Sequence, residues 1–155
     1  CKPKDALYYI TAESLEINKI NLIEHNKVAT TYEKCGTELY NWLRKNTVTR
    51  HDRIIPVGKN IYFDLLQIWD KLLKRASWEQ FVSYRTFDLT TLCEYGRMIG
   101  KIPASVSGGL KSLAEFYGLS TGDCHTATGD SILTKDVLKC MLDHLQGVRV
   151  GEEND

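Results

Sequence analysis

Residues 53–70 read RIIPVGKNIYFDLLQIWD. Ile54, Ile55 and Val57 form a short β-rich run, and Pro56 marks it as a strand end or an irregular edge. Asn60 then stands where a helix cap belongs. Beyond it Phe63, Leu66, Trp69, Leu72 and Leu73 recur at helical spacing as one apolar stripe. A strand that turns directly into an amphipathic helix points to an α/β layering. Asp64 falls inside that stripe, and an aspartate is rarely buried without a partner. A carboxylate at the rim of a core face, just past a strand-to-helix turn, suits a hard cation. Taken alone, the same residues also read as an ordinary cap followed by an exposed acid.

Further along the chain, helices are expected from Thr11 (with Glu13 in the first turn), over about 31–45, over 89–99, over GGLKSLAEFYG after Ser107, and over 126–146. A loop is expected through 24–30, and a second short strand at 84–87. Two strands are few for an α/β sandwich.

The last long helix opens on CHTATGDSILT (124–134). His125 and Asp130 are five residues apart, about 140° around an ideal helix, so they converge only if His125 lies at or before the first turn. An imidazole and a carboxylate would then flank a helix N-terminus, whose free N–H groups favour an anion. Ala127 leaves room for close approach, and Gly129 weakens the helix unless packing or access requires it. A capping histidine with a surface aspartate is the ordinary alternative.

With 155 residues, 43% of them apolar and 26% charged, the chain has the composition of a soluble globular domain. No run approaches the ~18–20 apolar residues of a membrane span. Twenty basic residues balance twenty acidic ones, so a polyanionic partner must be held by local charge or by metal. The basic stretches 44–53 and 71–75 could meet phosphates, although each alone reads as a solvated face. Five scattered cysteines without C-x-x-C make a poor disulfide framework and suggest a reducing, cytoplasmic setting. Zinc is not expected: Cys140 and His144 are spaced i, i+4, but Cys140 lies among apolar neighbours, and Cys124–His125 are too close in sequence for one tetrahedral site. The same adjacency argues against a Cys–His nucleophile pair.

Together, N-x-x-F-D (Asn60, Phe63, Asp64) and H-x-A-x-x-D (His125, Ala127, Asp130) resemble the second and third motifs of the DEDDh 3′–5′ exonucleases. The likeness covers most of the chain, with FDLTTL and GGLKSLAEFYGL similar to the segments between those motifs. It implies a ribonuclease-H-like fold, a mixed sheet flanked by helices, over residues 1–147, with 148–155 a polar tail. It further implies phosphodiester hydrolysis at the 3′ end of single-stranded DNA or RNA with two Mg²⁺ or Mn²⁺ ions. Asp64 and Asp130 would be metal ligands and His125 the general base. Asn60, Phe63, Ala127 and Lys59 would lie against substrate, Lys59 standing where the family often has histidine. A proofreading member would also bind a DNA polymerase; a free-standing nuclease would not.

The family's first motif, Asp-x-Glu after a strand, occurs nowhere in these residues. The resemblance therefore implies an opening of three strands carrying Asp-x-Glu ahead of Cys1, in keeping with the absence of an initiating methionine. A non-catalytic nucleic-acid-binding or interaction module on the same fold is the competing reading.

Overall fold

The structure, a computed structural model, describes residues 1–3, 11–18, 20–47, 49, 52–122 and 126–147. The chain divides into two compact units, each with its own core: Cys1–Pro56 with Ile61–Thr86, and Val57–Asn60 with Phe87–Asp155. The tail expected over 148–155 lies outside the described residues.

The first unit opens with α1 (Ala12–Asn18), where Leu15 N–H donates to the Thr11 carbonyl at 3.2 Å. Helix α2 (Leu22–Val28) occupies most of the segment expected to be a loop. Asn21 Oδ1 starts it by accepting from Ile23 and Glu24 N–H at 3.0 and 3.3 Å. None of its residues is buried, so it carries no apolar periodicity to be read. Helix α3 (Tyr32–Asn46) is capped by Thr31, whose Oγ1 accepts from Lys34 N–H. It packs against α4 (Ile61–Lys71). Gly36 makes that approach possible, because a Cβ there would lie 2.1 Å from the Leu72 carbonyl oxygen.

Leu43, Leu65, Trp78 and Val82 form the core of this unit, Trp78 coming from the short α5 (Arg75–Trp78). The apolar stripe expected on α4 is displaced. At its start Phe63 and Leu66 are exposed, whereas Leu65 is buried with Ile61 and Ile68 beside it; Trp69 and Leu73 of the expected stripe do pack against this core. The sequence offers two apolar sets at helical spacing, and the one containing Ile61 and Leu65 is buried. Ile54 bridges Val82 in parallel, with Ser83 N–H donating to the Ile54 carbonyl at 2.8 Å. Contrary to the expectation of reduced thiols, Cys1 and Cys35 are joined by a disulfide; Cys93 and Cys140 are free.

In the second unit β1 (Val57–Gly58) pairs in parallel with β2 (Phe87–Asp88), Val57 opposite Phe87. The second strand thus begins at the end of the expected 84–87 run. Asp88 caps α6 (Leu89–Met98), its Oδ1 accepting from Thr90 N–H at 2.8 Å. Helix α7 (Leu110–Phe116) ends before Gly118, whose φ of +69° suits glycine. Helix α8 (Ala127–Leu145) supplies Leu133, Val137 and Met141 to a core shared with Leu89, Cys93, Ile102, Leu113 and Ala114. The described chain is therefore α/β, helices with a small two-stranded parallel sheet. Among the described residues no helix is long and apolar enough to cross a membrane.

Candidate functional site

The segment from β1 into α4 positions the first group of residues. Lys59 is half-buried and Asn60 exposed in the bend after β1. Asn60 takes a left-handed backbone, φ +53°, which asparagine tolerates better than most residues. Its Oδ1 accepts a hydrogen bond from Thr90 Oγ1 at 3.1 Å, tying the bend to the first turn of α6. Phe63 is 67% exposed. Asp64 lies in the first turn of α4 and is exposed, so it is not the buried acid within an apolar stripe that the sequence suggested. In that turn the helix dipole favours a carboxylate, and its lone pairs are open to a ligand.

The second group stands at the start of α8. Thr126 Oγ1 accepts from Gly129 N–H at 3.0 Å, and Asp130 N–H donates to the Thr126 carbonyl at 2.8 Å. The helix therefore begins one residue inside the expected 126–146 span, at exposed Ala127, with half-buried Asp130 in its first turn. His125 and Cys124 lie outside the described residues. Asp64 and Asp130 belong one to each unit.

Carboxylates are the right donors for Mg²⁺ or Mn²⁺, which prefer oxygen ligands and can be held by one or two carboxylates together with substrate phosphate. In kind each carboxylate suits such an ion; in number the two supply −2 against the +4 of two divalent ions. Among the described residues no three His, Cys, Asp or Glu side chains gather as a metal site. Of the donors weighed for zinc, His144 has Nδ1 3.3 Å from the Tyr117 hydroxyl, and its ring packs beside those of Phe116 and Tyr117. Burial pushes the Tyr117 phenol up to about 12, with the neighbouring Cys140 and Cys93 adding to the effect.

Three features escaped the sequence reading. Thr90 holds Asn60 across a separation that no local pattern reveals. An open cavity of about 530 Å³ is lined by Thr47, Thr49, Arg53, Gln80 and Phe81. A smaller recess of about 120 Å³ is walled by Tyr62, Trp69, Trp78 and Tyr84. Tyr62 and Trp69, seven residues apart on one helix, were the available signal for the recess. No family model, characterised protein or solved structure matches the chain.

Proposed function

We propose that the chain is part of a ribonuclease-H-like DEDDh 3′–5′ exonuclease, removing nucleotides from the 3′ end of single-stranded DNA or RNA. The observation that supports this most is the placement of the motif carboxylates. Asp64 and Asp130 each occupy the first turn of a helix, one entered from a strand and the other through a threonine cap. In this reading both hold Mg²⁺ or Mn²⁺, and His125 accepts the proton of the attacking water near neutral pH. The metal, when bound, polarises the phosphodiester and makes bound water more acidic. Asn60, tied to Thr90, steadies the turn into α4, while exposed Phe63 and Ala127 and half-buried Lys59 are available to substrate. A DNA polymerase is its natural partner if it proofreads.

A second reading, a binding module without catalysis, is favoured by one fact: these residues contain no Asp-x-Glu. The two separate on a 5′-labelled oligonucleotide with Mg²⁺ or Mn²⁺. These 155 residues alone should shorten it slowly, and a form with a strand ending in Asp-x-Glu ahead of Cys1 should shorten it fast. In the fast form Asp64→Asn should abolish shortening. Rapid cleavage that survives Asp64→Asn, or none with Asp-x-Glu supplied, refutes the exonuclease assignment.

A further inference from the structure

The aromatic recess of the first unit lies outside the motif residues. Tyr62 and Trp69 stand edge to face on α4, their ring centroids 6.1 Å apart, with Trp78 and Tyr84 completing the walls. Arg75 and Glu79 also line it. The Arg75 guanidinium lies 4.9 Å from the Trp69 ring centroid and is bound through Nε to Glu79 Oε1 at 2.6 Å. We infer that this recess is a stacking subsite for one base of a single-stranded nucleic acid.

Three observations select that ligand. At about 120 Å³ the recess admits a single ring system, well below the ~300 Å³ at which drug-sized pockets begin. A cationic ligand is disfavoured, because Arg75 already provides the positive charge facing Trp69. Positive charge stands close by in sequence and space: Lys71 and Lys74 are exposed on either side of the α4–α5 turn, and Arg85 lies 5.3 Å from the Tyr84 ring centroid. Aromatic walls beside basic side chains are how proteins hold single strands without reading their sequence, the rings taking bases and the cations the phosphates. A proline-rich peptide would use such rings but has no need of the cations.

The inference rests on the exonuclease reading only for its choice of nucleic acid as the ligand, and it is tested without metal. Binding is measured in EDTA for a fluorescein-labelled oligothymidylate and for an abasic oligomer of equal length. The wild type should prefer the base-bearing strand. Tyr62 and Tyr84 are 60% and 68% exposed, so Tyr62→Ala with Tyr84→Ala should leave the fold intact and weaken oligothymidylate binding by about tenfold or more. The same pair changed to Phe should bind as wild type, and the abasic oligomer should bind all three proteins alike. Equal affinity for both oligomers, an unaffected alanine pair, or displacement by a proline-rich peptide overturns the subsite. Hydrolysis is scored separately with Mg²⁺. A protein that prefers bases but never cuts keeps the subsite and loses the exonuclease reading; one that cuts without the preference does the reverse.

Discussion

A methyl group on Gly36 would meet the Leu72 carbonyl oxygen, a backbone atom with no rotamer to change. Alanine is favoured over glycine inside a helix by about 1 kcal/mol. Even so, Gly36→Ala should destabilise the first unit by about 2–3 kcal/mol, because overpacking outweighs that preference; its urea midpoint checks the sign. For the candidate site, His125→Ala should slow hydrolysis by about 10²–10⁴-fold with metal binding retained. Asp130→Asn should weaken Mn²⁺ binding itself, and equal Mn²⁺ affinity in the two proteins contradicts the role assigned to Asp130. Tyr117 gives a test by pH. Its phenol is pushed up to about 12 by burial, against an ordinary value of 10, so the folded state keeps a proton that the unfolded state gives up first. The resulting stability is present below about pH 10 and is lost as pH rises toward 12. Tyr117→Phe should flatten that decline in the second unit's denaturation midpoint. That Asp64 and Asp130 each stand near the start of a helix was legible, because the turn and cap signals before them are local. Gly36 was not, since the atom that demands it lies on another element.

At the scale of elements, α3, α6, α7 and α8 were legible because each joins a cap or stop signal to an apolar period. Helix α2 buries nothing and α5 is a single turn, so neither leaves a period to find. The strands are two residues each, too short for alternation to show. The Thr126 cap holds the turn that carries Asp130, so Thr126→Ala should cost about 1 kcal/mol in the second unit and reduce hydrolysis alongside. Unchanged stability would mean that the hydroxyl bond contributes nothing. The Cys1–Cys35 bridge closes a loop of 34 residues over α1 and α2. Reducing it should lower the stability of the first unit by about 2–4 kcal/mol and leave the second alone. Thiol titration should find two more thiols after dithiothreitol than before it.

The division of the whole molecule was not legible, because no Pro- or Ser-rich linker marks it. The backbone passes from one unit to the other after Pro56, returns after Asn60, and leaves again after Thr86. Each unit is therefore assembled from two stretches, and helical periodicity within either stretch says nothing about which unit it joins. Interleaving also imposes an order of events on the ribosome. Val57–Gly58 leaves the exit tunnel well before Phe87–Asp88, its hydrogen-bonding partner. At about 5–20 residues per second, that strand waits on the order of seconds with an open edge while the first unit's remaining helices are made. A nascent chain that has emerged as far as Thr86 can thus hold the whole first unit and also one half of a sheet whose other half is still inside the tunnel.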